Sequence, residues 1–409
     1  MEKQKKQIAV GEFVIDQEEK RLVNQVLESG RISEGKMTQQ FERMFRDYIG
    51  VKHCVAVNSG TSALIAGFLA LLQDKRFKKA ARGARVITTP LTYVADANAI
   101  VLAGMEPVFV DVDPLRFSIL PELIEAKVKE LGKDNVAIVL PVHLMGYMCD
   151  MDRINSLADK NDLVVFEDSA QAHGSLYHGK KAGSLATLAA FSFYIAHNIQ
   201  AGEMGALTTS DDLLYKNLKK IKANGRDCDC EVCSRKTSGC VKPGGDKELD
   251  YDPRFSHSLI GANFKTMEFQ SALGVAQMEK ADRIFVQRQK NVKYLNEKLA
   301  EYGDLFILPE FSDQVSYLAY PIILKKNKRL SRRILRRALE AAGVETRPLF
   351  ACIPTQVDSF KSLMNEYAGQ LPNAEYLGKN AFYVGCHQYL TEDDLDYMVA
   401  AFTKIIKEI

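Results

Sequence analysis

Strand and helix patterns alternate along the first two-thirds of this chain, and that alternation limits the possible folds more than any other feature. Short β-rich runs occur at residues 53–57, 85–89, 107–112, 136–142, 163–166, 189–194 and 206–209. Helical patterns lie between the early ones, at 61–72, 95–103, 121–131 and 151–159. Such alternation predicts an α/β fold with a mostly parallel sheet covered on both faces. A short glycine-containing segment joins the last two runs, which predicts an antiparallel edge. A single helical pattern then runs from Met267 towards Tyr302, and residues 306–409 read as a smaller α/β unit. The expected division is a large domain at 1–265, including a polar, Cys-rich loop at 224–254, and a small C-terminal domain at 266–409 that carries the long linking helix.

Composition excludes several function classes. Of 409 residues, 46% are hydrophobic and 26% charged, which is ordinary for a globular protein and rules out disorder over most of the chain. The 54 basic and 52 acidic residues nearly cancel, so no overall field draws nucleic acid. No apolar run approaches the roughly 18 residues of a membrane span. The opening MEKQKKQIAV lacks the apolar stretch of a secretory signal, so a cytoplasmic protein is expected.

The cysteines fall into two groups. Cys54, Cys149, Cys352 and Cys386 are scattered and read as small buried hydrophobes. Cys228, Cys230, Cys233 and Cys240 fall within 13 residues, and in a reducing compartment such a group indicates a metal or redox centre rather than disulfides. A basic segment, 325–337, reads as a helix capped by Ser331 with a solvated face, or as a docking patch for an acidic protein.

Three segments carry chemistry. Asn58-Ser59-Gly60-Thr61-Ser62 follows a strand and opens a helix, where backbone N–H groups and hydroxyls make an anion site. Glu167-Asp168-Ser169-Ala170-Gln171-Ala172-His173-Gly174 follows a strand whose carboxyl end is a binding position in open α/β sheets, and Asp168 could hold a protonated ring nitrogen there. The third segment is Phe191-Ser192-Phe193-Tyr194-Ile195-Ala196-His197-Asn198, leading to Gly202-Glu203-Met204-Gly205.

Together these segments resemble the phosphate loop, pyridine-nitrogen aspartate and lysine loop of the DegT-type sugar aminotransferases, which are fold-type I pyridoxal phosphate proteins. Ser29-Gly30-Arg31-Ile32-Ser33-Glu34-Gly35, Thr89-Pro90-Leu91-Thr92-Tyr93, Gly261-Ala262-Asn263-Phe264-Lys265 and Leu371-Pro372-Asn373-Ala374-Glu375 extend the likeness over most of the chain. The resemblance implies a seven-stranded, mostly parallel sheet, a smaller C-terminal α/β domain and a homodimer with active sites at its interface. It implies that Gly60, Thr61, Ser62 and Ser192 hold the cofactor phosphate, with Asn263 supplied by the neighbouring subunit. It further implies that Tyr93 stacks on the ring, Asp168 holds the ring nitrogen and Gln171 lies near the ring oxygen.

The chain departs from that pattern at one decisive place. His197 stands where the aminotransferases carry the lysine that binds the cofactor covalently, and an imidazole cannot form that link. Lys180 and Lys181 precede the segment and do not match the motif. A histidine is a general base near neutral pH. The resemblance is therefore closest to the 3-dehydratases of deoxysugar biosynthesis, which use pyridoxamine 5′-phosphate. The spacing C-x-C-x2-C-x6-C further resembles the subgroup acting on CDP-4-keto-6-deoxyhexoses, which hold a [2Fe-2S] cluster. This implies Cys228, Cys230, Cys233 and Cys240 as ligands and a separate flavin/iron–sulfur reductase as electron donor. Lys265, where the aminotransferases more often have arginine, favours a dehydratase over an aminotransferase but says nothing about the cluster. Two other readings stay open: a dehydratase renewed by glutamate with structural zinc on the cysteines, and a non-catalytic nucleotide-sugar-binding protein.

Overall fold

The computed structural model describes residues 6–228, 230, 255–326 and 330–408. Cys233, Cys240 and most of the loop expected at 224–254 lie outside the described residues. The large sheet is built from β1 (His53–Val57), β2 (Arg85–Thr88), β3 (Glu106–Phe109), β4 (Val136–Leu140), β5 (Val164–Asp168), β8 (Leu188–Ser192) and β9 (Gly205–Thr209), with a small hairpin, β6 (Leu176–Tyr177) and β7 (Lys180–Lys181), set apart. Its seven strands run in the order β1-β9-β8-β5-β4-β2-β3. β4 and β5 are buried along their whole length, as strands covered on both faces must be. The antiparallel strand is not at the edge, as expected, but inside the sheet: β9 folds back on β8, and β1 closes against its far side. Because β1 and β8 both oppose β9, they are parallel to each other and to β5. The C-terminal ends of β1, β2, β5 and β8 therefore share one edge of the sheet.

Two apolar layers sandwich this sheet. Val55 and Val57 of β1 face one layer and Cys54 and Ala56 the other, as the two-residue strand period requires. On the first side lie α3 (Gly60–Gln73), α4 (Ala95–Leu102) and α7 (Asp212–Ile221), with Phe68, Ile100 and Leu218 buried. On the second, α1 (Gln17–Ser29), α2 (Lys36–Ile49) and α8 (Glu268–Met278) bury Leu22, Phe41, Phe45 and Val275 against Phe191. α5 (Pro121–Leu131) and α6 (Met151–Asn161) complete the cover over β4 and β5.

The single helix expected from Met267 to Tyr302 is two, α8 and α9 (Ala281–Leu299), separated at Glu279 and Lys280. The break lets α8 stay on the large sheet's layer while α9 turns to bury Val292, Leu295 and Leu299 in the C-terminal core. Lys280 fastens the joint through Glu19 (2.6 Å) and Asp16 (2.5 Å). α8 also opens on a carboxylate that organises α2. The buried Glu268 accepts from the N–H groups of Gly35 (2.7 Å), Met37 (2.8 Å) and Thr38 (2.9 Å), and from the Thr38 hydroxyl (2.7 Å). The three N–H groups are orphan donors of an N-terminus that has no side-chain cap of its own.

The C-terminal sheet is antiparallel, with β10 (Phe306–Ile307), β11 (Tyr320–Leu324), β12 (Arg347–Pro348) and β13 (Ala381–Val384) in the order β10-β11-β13-β12. It packs with α9, α10 (Arg332–Ala341), α11 (Pro372–Asn380) and α12 (Glu392–Glu408). Ser331 caps α10 through the Ile334 N–H, as its position predicts. Part of the basic segment is structural: Arg332 donates to the Gly378 (2.7 Å) and Ala381 (2.9 Å) carbonyls, and Arg336 to Thr346 and Glu340. Arg333 and Arg337 stay exposed. Among the described residues, no helix is long and apolar enough to cross a membrane.

Candidate active site

Chain topology gathers most of the expected site residues at one edge. β1 ends at Val57, and the chain turns at once into α3, whose N-cap Ser59 accepts from the Ser62 N–H (3.1 Å). Gly60 and Thr61 form the first turn, so their N–H groups lie among the unpaired donors of a helix start, where an anion is favoured. Ser192, at the end of β8, abuts this turn: a Cβ built on Gly60 would lie 2.6 Å from the Ser192 Cβ. Ser192 and the phosphate turn thus form one cradle.

Asp168 ends β5 and is buried. Its Oδ1 accepts from the Ala170 N–H (2.9 Å), its N–H is bound by Pro141 and its C=O by His143. Burial raises its pKa, opposed by the Ala170 N–H. Gln171 lies on the turn that follows, its Oε1 accepting from the Met145 N–H (2.9 Å), which fixes the amide's direction. Beneath, His143 and Glu167 form a buried pair (3.0 Å). The His143 Nδ1 accepts from the Cys149 N–H (3.2 Å), so its other nitrogen donates to Glu167, whose remaining capacity is met by the Gly183 and Leu185 N–H groups (2.9 Å each).

Tyr93 follows β2 on the loop into α4; it is 60% exposed and tilts against Phe350 with ring centroids 5.9 Å apart. The Leu91–Cys352 bridge brings that C-terminal segment over the edge.

His197 sits in the loop between β8 and β9, which is closed by the bonds Ala201 N–H to Phe193 C=O (2.8 Å) and His197 N–H to Tyr194 C=O (2.8 Å). Its ring lies edge-on to His173, centroids 6.3 Å apart, and its Nδ1 is buried with no hydrogen-bond partner among the described residues. Burial, aided by the Arg288 guanidinium, pulls its pKa down to about 4. At neutral pH the ring is therefore uncharged and able to accept a proton. The two nearby lysines are not brought to it: Lys180 is exposed, and the Lys181 ammonium stands 4.1 Å above the Tyr48 ring.

Asn263 is placed elsewhere. It lines a cavity of about 550 Å³ with Arg31, Ser33, Lys265, Cys228 and Cys230, and none of His197, Asp168 or Ser192 lines that cavity. The stem beneath these cysteines is pinned by Asp227, which accepts from Lys220 (2.9 Å), Ser256 and Ser258. Cys233 and Cys240 lie outside the described residues, and among those described no three metal-ligating side chains gather.

Two features of the site were not anticipated in the sequence. Asp96, on the first turn of α4, is buried within hydrogen-bonding reach of Asp168, and the His143–Glu167 pair supports the same strand end. The four-residue step from Thr92 to Asp96 was the available signal for the first.

Comparison with known proteins bears on the family and the fold. The DegT/DnrJ/EryC1/StrS aminotransferase family model matches residues 14–403. The chain is 31% identical to the lipopolysaccharide biosynthesis protein RfbH of Salmonella typhimurium, over 95% of this chain and 89% of that protein. It is also 31% identical to the GDP-perosamine synthase of Caulobacter vibrioides, over 98% of each. The solved structure of the E. coli GDP-4-keto-6-deoxy-D-mannose-3-dehydratase with bound hydrated PLP superposes with a TM-score of 0.82 at 25% identity, covering 98% of this chain and 100% of that one. This chain belongs to the DegT/DnrJ/EryC1/StrS aminotransferase family and has the fold-type I architecture of pyridoxal phosphate enzymes.

Proposed function

We propose that this protein is a C3-dehydratase that uses pyridoxamine 5′-phosphate to deoxygenate a nucleotide-linked 4-keto-6-deoxyhexose. The observation that carries this reading is His197, an uncharged imidazole at the place where the family's aminotransferases present a lysine. Similarity to a 3-dehydratase solved with PLP, and to a lipopolysaccharide biosynthesis protein, supports the substrate class.

The residues present fit the cofactor. The α3 N-terminus and Ser192 offer donors to a phosphate, and the buried Asp168 carboxylate offers a counter-charge to a protonated ring nitrogen. When bound, the cofactor supplies an amine for the substrate ketone and a ring that takes up electrons. Within that setting, His197 would be the base that accepts a proton at the C4′ carbon. Asp168 would hold the ring nitrogen's proton, Gln171 would lie near the ring oxygen and Tyr93 would stack on the ring. Asn263, in its separate cavity, would serve the neighbouring subunit's phosphate in a homodimer.

Cys228, Cys230, Cys233 and Cys240 are the proposed ligands of a [2Fe-2S] cluster. Four thiolates are its usual complement, and such a cluster passes electrons singly from a reductase. Support comes from Cys228 and Cys230 facing one cavity. Iron and acid-labile sulfide, measured on anaerobically purified protein, test this part. About two of each per chain, lost on Cys230→Ser, are expected for a cluster of this type. Zinc without sulfide would instead favour the dehydratase renewed by glutamate, which forms 2-oxoglutarate with no reductase.

A further inference from the structure

Two carboxyl groups meet beneath the proposed ring site, and their hydrogen bonding does not close unless one of them carries a proton. Asp96 is 1% exposed, and its Oδ2 accepts from the Thr92 hydroxyl (2.5 Å). Its Oδ1 is buried and faces no donor among the described residues. The group within its reach is the Asp168 carboxyl, itself an acceptor when ionised. A carboxylate oxygen has only lone pairs to offer, so two ionised groups would repel across a buried site. A buried acceptor left unmet is costly, whereas a carboxylic O–H satisfies both sides at once.

We propose that Asp96 is a positioning residue that stands protonated and donates its one proton to Asp168, so that the pair presents a single, partly shared negative charge to the cofactor ring nitrogen. Asp168 is the natural acceptor, because the Ala170 N–H already favours its charge (2.9 Å). Burial and the neighbouring Asp168 charge both raise the Asp96 pKa, opposed by the Thr92 hydroxyl. The helix start at α4 favours a negative charge on Asp96, but it acts against both of these. The other titratable group facing the pair is His143, and its ring is committed to Glu167 (3.0 Å) and the Cys149 N–H (3.2 Å). It donates no proton to either aspartate.

The consequence is chemical. A carboxylate that accepts a strong O–H donor is a weaker base than one facing water or an amide. Asp96 therefore loosens the hold of Asp168 on the ring-nitrogen proton. This consequence rests on the reading that Asp168 faces that nitrogen; the shared proton itself does not.

Infrared spectroscopy of the cofactor-free protein tests the proton directly. At neutral pH the wild type should show a protonated carboxylic acid band that shifts in deuterium oxide and disappears in Asp96→Asn. Absence of the band from the wild type overturns the proposal without any variant having to fold. Loading with ring-15N pyridoxal phosphate tests the consequence. Asp96→Asn should raise the pH at which the ring nitrogen loses its proton by about half a unit. A fall would mean that Asp96 is charged, and no shift that it is merely structural; either overturns the proposal. Asp168→Asn separates the two levels. If it leaves the ring-nitrogen titration unchanged, the placement of Asp168 fails, while the infrared result still decides whether the proton is shared.

Discussion

Gly60 and Ser192 stand so close that a Cβ on Gly60 would lie 2.6 Å from the Ser192 Cβ. Residues 132 positions apart are thus joined into one turn-and-hydroxyl cradle, because β1 and β8 end at the same edge of the sheet. Ser192 is fixed at its strand end and cannot yield as a long flexible side chain would. Gly60→Ala should therefore push the α3 turn out of place and weaken pyridoxal phosphate binding by at least tenfold, a cost of about 1.4 kcal/mol. Equilibrium titration of the cofactor, with circular dichroism to check the fold, measures this.

His197→Asn removes the proposed base but keeps a polar side chain of similar size. Turnover should fall by about 10²- to 10⁴-fold, the usual contribution of a general base, while nucleotide-sugar binding changes little. The pH profile carries a second signature. Because burial pulls the His197 pKa down to about 4, the uncharged, proton-accepting form persists well below the ordinary histidine range. The acid limb of kcat/KM should fall near pH 4 rather than near 6.5, as read from initial rates on pre-equilibrated enzyme.

Much of the architecture is legible in the sequence because it follows from local period. β1 and α5 fall where their patterns begin and end, and the other large-sheet strands differ from their patterns only at the termini. Long-range geometry is not legible in this way. The α8–α9 break depends on which core each helix joins, and the Lys280 ion pairs that fasten it reach more than 260 residues back to Asp16 and Glu19. Asp96 is a similar case. In sequence it resembles any acidic residue on the first turn of a helix, and its role emerges only when β5 brings Asp168 beside it. The motif residues of the proposed cofactor site, Asn263 apart, were easier to find, because each lies at or just after the end of a strand at the same sheet edge.

His387 offers a test of how burial couples to pH. The residue is 1% exposed, and the Ala9 backbone only partly offsets the cost of charging its ring there. Burial, with the Arg288 charge, lowers its pKa to about 4. An unfolded chain would bind a proton there below about pH 6.5 while the folded chain would not, so folding stability is full above pH 6.5 and falls as the pH drops towards 4. The contribution lost over that window is about 3 kcal/mol. His387→Gln should flatten the stability profile between pH 6.5 and 4, measured by urea unfolding; an unchanged slope would show that the ring is already charged in the fold.

Glu268 supports α2 from a distance of more than 200 residues. Its removal leaves the N–H groups of Gly35, Met37 and Thr38 unmet in a buried setting. Glu268→Ala should cost about 3 kcal/mol or more in chemical denaturation. Glu268→Gln, which keeps one acceptor oxygen, should recover part of that loss.

The central claim is that His197 turns an aminotransferase fold to the removal of water at C3, and exchange of substrate oxygen with solvent tests it most directly. The protein is loaded with pyridoxamine phosphate and incubated, without reductant, with GDP-, CDP- and dTDP-linked 4-keto-6-deoxyhexoses in 18O-water, and the C3 oxygen is followed by mass spectrometry after the faster-exchanging C4 ketone oxygen has been washed back in ordinary water. The account predicts entry of 18O at C3 with at least one of these substrates, lost in His197→Asn. Formation of a 4-amino sugar with no 18O at C3 would contradict it, and would identify the protein as an aminotransferase that works without its lysine.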